Sequence, residues 1–263
     1  MAQGRKNVFG CVANFLRGRK CIFCGSFKVS KTGRGYVRCR HTGCGKQKSL
    51  KRVKTEIAIV QGFYQQQPAY RLSNDWGVDY KTVTRVYQRI REAIYHTAEL
   101  EGGKLNGEVE MDESYFGGRR KGRRGRGAAG KNIVFGLLER DGKVYTRVVE
   151  HVSKEELMAV IRKKTRKGSV YYTDKFRSYN SLKRLGKHHM VSHEKNLVDK
   201  RTKNHINGIE GFWSFAKHIL YNYRGVSKYH FPMYLKEVEY RFNHRKDNLF
   251  KLFISIYFGY ISP

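Results

Sequence analysis

The sequence predicts an α/β protein, a mixed five-stranded sheet flanked by helices, with two small modules ahead of it. Three observations carry that expectation. Four cysteines stand in two close pairs near the N-terminus. The stretch that follows them repeats its apolar residues at helical spacing. Beyond the break Glu101-Gly102-Gly103-Lys104 the apolar pattern changes to strand-like alternation. The expected boundaries are 1–52 for the cysteine module, 53–102 for the helical region, 103–246 for the α/β domain and 247–263 for an apolar tail.

Within the first module the cysteines read Cys21-x2-Cys24 and Cys39-x4-Cys44, separated by a Lys/Gly-rich stretch with Val29, Tyr36 and Val37. Two tight turns joined by a β-hairpin would place four thiolates at the corners of a tetrahedron, which is a zinc-ribbon pattern for one structural Zn²⁺. The metal would supply folding energy that so short a segment cannot draw from its own core. His41 lies between the second pair as an alternative ligand, and Cys11 is left over as a structural residue.

The helical region carries one amphipathic pattern from Glu56 to Phe63 and another from Thr82 to Ile94. Between them, Leu72-Ser73-Asn74-Asp75-Trp76-Gly77-Val78-Asp79 follows a helix-turn-helix layout, with Gly77 in the turn and Asp79 as cap. The second helix would present Lys81, Thr84, Arg85 and Arg89 to DNA. A plain helical hairpin linking two domains is the competing reading.

In the α/β region, strands are predicted at Glu108–Phe116, Asn132–Glu139 and Val144–Glu150, with Asp141-Gly142 turning between the last two. A helix over Ser153–Lys164 opens on the capping box of Ser153 and Glu156. A buried strand Ser169–Thr173 ends at Asp174, followed by a helix near Phe176–Leu185, a strand at His189–Ser192, and helices at Ile206–Leu220 and Pro232–Asn243. That is the element order of an RNase H-like core. The loop run Arg119, Arg120, Lys121, Arg123, Arg124 and Arg126 suits DNA phosphates.

Charge narrows the partner. Lys and Arg number 54 against 22 Asp and Glu, a net charge of +32. A folded chain this basic repels itself unless a polyanion is near, and nucleic acid is the commonest one. The N-terminus lacks the unbroken apolar stretch of a signal peptide, and the run Leu249–Ile261 is interrupted by Lys251 and too short to span a bilayer. The expectation is a cytoplasmic protein with no membrane partner, nucleoid-associated in a bacterium or nuclear in a eukaryote. The aromatic tail is expected to pack on the fold or in a dimer contact.

Three acids stand out by position: Asp112 in the first core strand, Asp174 at the end of a later one, and Glu210 in a helix. Their surroundings are Met111-Asp112-Glu113-Ser114-Tyr115-Phe116-Gly117-Gly118, Tyr172-Thr173-Asp174, and His205-Ile206-Asn207-Gly208-Ile209-Glu210-Gly211-Phe212-Trp213-Ser214 with Lys217 beyond. Together with Tyr234 to Arg245, these motifs resemble the IS1595/IS1016 group of insertion-sequence transposases, the ISXO2-like transposase domain, whose eukaryotic relatives are the Merlin elements. The resemblance covers about residues 105–246 and implies a DDE transposase, with catalytic acids Asp112, Asp174 and Glu210 and signature lysine Lys217. It also implies binding to the element's terminal inverted repeats and to target DNA, in a homodimer or larger synaptic assembly.

The chemistry agrees with that implication. Phosphodiester cleavage and strand transfer are in-line displacements, and two Mg²⁺ (or Mn²⁺) ions about 3.5–4 Å apart stabilise both the attacking and the leaving oxygen. Carboxylates are the oxygen ligands such ions prefer. Asp112 would bridge the pair, with Asp174 and Glu210 completing the two sites. Lys217 lies two helical turns past Glu210 and points the same way, toward a neighbouring phosphate, while Asn207, one turn before, would orient Glu210 or touch DNA. Glu108 and Glu110 share Asp112's face of the strand and compete with it for the role, whereas Glu113 faces away. His193 is a weaker substrate candidate, and Phe212 and Trp213 read as core. The rival functions are a non-catalytic ribbon and helix-turn-helix regulator, an RNase H-like nuclease without strand transfer, and a basic RNA-binding protein.

Overall fold

The computed structural model describes residues 8–101, 103–117, 131–140, 142–174, 182–191, 204–223 and 225–260. The chain divides into two compact units, Met1–Ile94 with His244–Pro263, and Tyr95–Asn243. No helix among the described residues is long and apolar enough to cross a membrane.

The first unit opens with helix α1 (Val8–Leu16) and a three-stranded antiparallel sheet of β1 (Val29–Lys31), β2 (Tyr36–Cys39) and β3 (Gln47–Ser49). Helix α2 (Leu50–Tyr64) leaves β3 directly, because the Ser49 hydroxyl accepts the Arg52 N–H at 3.4 Å and caps it. That start lies upstream of the periodicity at Glu56, because the cap sets it and Val53 already reaches the core between exposed Lys51, Arg52 and Lys54. Helix α3 (Ala69–Trp76) ends on Gly77, whose φ of 60° and ψ of 28° make the left-handed turn. Asp79 then accepts the Thr82 N–H at 2.9 Å and starts α4 (Tyr80–Glu101). Val83, Val86, Ile90 and Ile94 of α4 are buried, as the helical spacing requires. The apolar tail forms α8 (Leu249–Tyr260) and packs against α1 and α2. Phe253 sits edge-on to Phe63 at 5.1 Å, and Phe253, Ile254, Tyr257 and Phe258 are at most 1% exposed. Fully burying each such side chain is worth about 1.5–3 kcal/mol.

In the second unit, β4 (Glu108–Phe116), β5 (Asn132–Glu139) and β6 (Val144–Val149) form an antiparallel meander. Helix α5 (Lys154–Lys164) carries the chain over to β7 (Val170–Thr173), which lies parallel to β4, and β8 (Lys187–Met190) lies parallel to β7. The spatial order β6-β5-β4-β7-β8 is that of an RNase H-like sheet. Ser153 caps α5 through the Glu156 N–H at 3.2 Å. The Glu156 carboxylate accepts from Glu150 and His151 rather than closing a reciprocal box. Of the segment expected to be helical near 176–185, only Leu182–Leu185 lies within the described residues and holds a single short turn; Asp141 and His193 also lie outside them.

Strand alternation divides the interior into two cores. Val109 and Met111 of β4, with Phe135, Leu137 and Tyr171, face Leu157, Met158 and Ile161 of α5. On the other face, Phe116, Val134, Leu138 and Tyr172 meet helices α6 (Asn207–Leu220) and α7 (Phe231–Asn243) through Ile209, Phe212, Trp213, Leu235 and Val238. Asp112 belongs to this second face. Helix α7 also closes the open edge of β6. The Asn243 amide pairs with both the N–H and the C=O of Val144, at 2.8 and 2.9 Å. Glu239 accepts the Thr146 N–H at 2.7 Å, and Lys236 donates to the Thr146 carbonyl at 2.9 Å. An edge strand would otherwise offer these groups to a foreign strand.

Candidate active site

Asp112 sits at the centre of β4, opposite Gly136 of β5. Parallel pairing matches Glu110 with Tyr172. Two residues further on, the same register brings Asp112 level with Asp174, on adjacent strands about 4.8 Å apart. Glu210 approaches from the first turn of α6. Burial, together with the negative charges of Asp174 and Glu210, pushes the Asp112 carboxyl up to about 6, against hydrogen bonds that lower it. One of those comes from the Trp213 indole, whose Nε1 donates to Asp112 Oδ2 at 3.1 Å. Asp174 Oδ1 is buried without a hydrogen-bond partner.

Half-buried acids that repel one another, one with an orphaned buried oxygen, are a cation's environment in its charge and its donor set. The fit to hard divalent ions is therefore good chemically. The three carboxylates are spread more widely than a single-ion cage: among the described residues, the cluster whose ligand atoms all lie within 4.8 Å of one another is the four-cysteine one. Two cations a few ångström apart do not require every acid to touch every other.

What holds Glu210 in place is Glu110, two residues before Asp112 on the same face. Its side chain is 1% exposed, and its Oε2 accepts the Ile209 N–H at 2.9 Å. The start of α6 has no side-chain cap of its own, so Glu110 supplies one from β4 and sets a negative charge at the positive helix end. Arg140 donates from Nε to Glu110 at 2.9 Å and from Nη2 to the His205 carbonyl at 2.8 Å, tying the segment ahead of α6 to the sheet. Its guanidinium lies 3.8 Å from the centre of the Tyr172 ring, and the Tyr172 hydroxyl donates to Glu108. Glu108 and Glu110 thus brace the site while Asp112 faces the other two acids.

Two glycines allow the approach. A Cβ at Gly208 would fall 2.8 Å from Glu110 Oε2, and one at Gly136 would fall 2.5 Å from the Trp213 ring. Bare backbone at these points lets α6 dock and lets the indole cross β5 to reach Asp112. Trp213 is core, as its sequence setting implies, and its N–H also serves the site.

Asn207 is exposed at the first position of α6, and Lys217 is exposed on the same helix. In the first unit Lys81 and Arg85 are exposed on α4, whereas Arg89 is half-buried beside Tyr257 of α8. Arg119, Arg120, Lys121, Arg123, Arg124 and Arg126 lie outside the described residues.

The four cysteines Cys21, Cys24, Cys39 and Cys44 form the zinc-ribbon cluster. Cys21 and Cys44 Sγ atoms stand 3.9 Å apart, and those of Cys24 and Cys39 stand 3.6 Å apart. A tetrahedron with Zn–S bonds of 2.3 Å has edges of about 3.8 Å. The Phe23 and His41 N–H groups point at Cys21 and Cys39 sulfurs, each at 3.4 Å, as donors to thiolate would. Burial pushes the Cys21 thiol up to about 12. A soft cation must displace that proton. The His41 side chain is exposed and outside the cluster, and Cys11 donates to the Cys21 carbonyl at 3.3 Å, a packing role.

Sheet order and half-buried acids define an RNase H-like α/β protein with a candidate cation site. A model of the ISXO2-like transposase domain matches residues 104–243, more than half of the chain, and the chain belongs to that family. An "Uncharacterized transposase-like protein" of Haemophilus influenzae is 43% identical over 102 residues, covering 38% of this chain and 81% of that protein. Among solved structures, a pre-cleavage Mos1 transpososome is similar at a TM-score of 0.26 and 14% identity, over 71% of this chain and 75% of that one. The Mos1 strand transfer complex gives 0.26 and 15%, over 72% and 76%. The RNase H-like fold rests on the strand order β6-β5-β4-β7-β8.

Proposed function

We propose that this transposase-family chain cuts DNA at the ends of its own element and joins the 3′-hydroxyl ends to target DNA. Asp112, Asp174 and Glu210 would hold two divalent cations, Mg²⁺ or Mn²⁺. The observation that carries the reading is the convergence of these acids on one face of the sheet, with Asp112 raised to about 6 and Asp174 Oδ1 left without a partner. The bound cations would supply Lewis-acid stabilisation to the attacking and leaving oxygens of an in-line displacement. Asp112 would be a ligand of these cations, with the Trp213 N–H orienting its carboxylate. Glu110 fixes the helix that presents Glu210, and the exposed Lys217, two turns on, would meet a flanking phosphate. In the first unit, the zinc-loaded ribbon and the exposed Lys81 and Arg85 of α4 would recognise terminal inverted repeats. Two ends must be held together, which requires a dimer or larger assembly on DNA.

The test is strand transfer in Mg²⁺, using duplexes with the gene's flanking ends and a supercoiled target, with wild type beside Glu210→Ala. Joined products from wild type alone are expected. Cleavage without joining would replace the reading with a nuclease, and binding without cleavage would replace it with a regulator.

A further inference from the structure

Further along β4 from Asp112, still within the second unit, a cavity of about 720 Å³ opens at the end of the strand. Its walls are aromatic, including Phe116, Tyr221, Tyr223 and Tyr234, and Lys217 and Asn132 also line it. We propose that this cavity receives an unpaired nucleobase of the DNA strand held at the acids. The inference rests on DNA being the substrate of that site.

Position gives the first argument. Phe116 lies four residues past Asp112 on β4, about 13 Å along a strand. Lys217 lies seven residues past Glu210 on α6, about 10 Å along a helix. A stacked strand rises 3.4 Å per nucleotide, so the cavity is about three to four nucleotides from the acids. The connection is also physical. The Phe116 ring stands edge-on to Trp213 at 6.0 Å, and Trp213 donates to Asp112.

Chemistry gives the second. A nucleobase has two apolar π-faces and a polar rim, and stacks on any aromatic ring regardless of its sequence identity. The Tyr223 and Tyr234 rings pack on each other at 5.0 Å and both line the cavity, giving such a plate an aromatic wall. Asn132 and the tyrosine hydroxyls can meet the polar rim of a base. Lys217 adds a positive charge for the phosphate that must follow the base in, and a chain of net charge +32 favours a polyanion over an uncharged apolar ligand. Extracting a base costs a few kcal/mol of stacking and pairing, least where the base is already mismatched. The cavity therefore discriminates unpaired from paired ends, which links it to strand opening near the cut.

The test measures binding of the zinc-loaded full chain to short duplexes with the gene's flanking ends, without any other divalent cation. One mismatched base is moved along the duplex, and at each position a matching duplex carries an abasic residue instead. Base–aromatic stacking of about 1–3 kcal/mol predicts that wild type prefers the base by roughly 5- to 150-fold at one or two positions. Tyr221→Ala, at a residue 62% exposed, and Tyr234→Ala, each with its fold checked by circular dichroism, should erase much of that preference while leaving abasic duplexes bound as before. Tyr234→Phe should keep it. Absence of any preference in wild type would overturn the proposal. Equal loss on base-containing and abasic duplexes in the alanine variants would overturn it too, assigning the rings to general affinity. Because no catalytic cation is present, a failure of the metal-site reading would show in strand transfer and leave this preference intact.

Discussion

At the scale of single residues, Asp112 is the one whose environment makes a quantitative demand. Its folded, cation-free carboxyl is raised to about 6 by burial and by the acids around it. The folded state thus holds the proton more tightly than the unfolded chain does. Asp112's contribution to stability is full below the ordinary carboxylate range and is lost as pH rises through about 6. A divalent cation competes with that proton. Calorimetric titration with Mn²⁺ should show affinity rising about tenfold per pH unit up to about 6 and levelling above it. A flat profile across that window would count against Asp112 as a ligand. Gly136→Ala tests the same carboxylate from behind, since its Cβ would meet the Trp213 ring at 2.5 Å. Overpacking should cost about 1–3 kcal/mol by urea denaturation, and displacing the indole should lower strand transfer further than that loss explains. The three acids stand out in the sequence by their position and by the family motifs around them, and the fold brings them to one face of the sheet. Glu110's bracing of α6 was not, because its partner, the Ile209 N–H, is 99 residues away and only the tertiary fold supplies it. Glycines at 136 and 208 were visible, but nothing local says which ring or carboxylate each must clear.

At the scale of elements, long periodic segments read correctly and tertiary destinations did not. The β4–β5–β6 meander and α6 follow from apolar spacing, and the α3–α4 pair from that spacing with Gly77 and Asp79 in its turn. The last strand lies at Lys187–Met190, two residues before the expected His189–Ser192, because its register is set by pairing with β7 rather than by its own weak alternation. The tail's aromatic residues announced burial, but not that α8 would cover α1 and α2. Polar residues inside α7 were equally opaque: Lys236, Glu239 and Asn243 look like a solvated face until β6 is beside them. They now make a prediction. Lys236 donates to Glu239 at 2.8 Å, and both side chains are 5% exposed. Glu239→Ala leaves that ammonium buried without its counter-charge and strips the Thr146 N–H, a loss of about 3–5 kcal/mol by denaturant titration. A change below about 1 kcal/mol would mean that water replaces the carboxylate.

At the scale of the whole molecule, a net charge of +32 and a small group of half-buried acids pull on DNA in opposite directions. Lysine and arginine supply salt-sensitive affinity for any duplex through counterion release. The acids of the second unit make a negative place on this basic chain, and a phosphate brought there meets the repulsion that, with burial, raises Asp112. A divalent cation would reverse the sign of that place, so it should govern binding as well as bond breaking. Asp174 is the residue to alter, since its Oδ1 is buried and has no protein donor to lose. Without Mg²⁺, Asp174→Asn should bind end duplexes at least as tightly as wild type. With Mg²⁺ at constant ionic strength, wild type should gain affinity and the variant should not. Anisotropy titrations over a salt series would separate this from general attraction, because Lys217→Ala should flatten the log–log salt slope by about 0.9 while leaving the Mg²⁺ response in place. If Asp174→Asn weakened metal-free binding instead, the carboxylate would be contacting DNA through a donor of the DNA itself, and the cation site would have to be sought elsewhere.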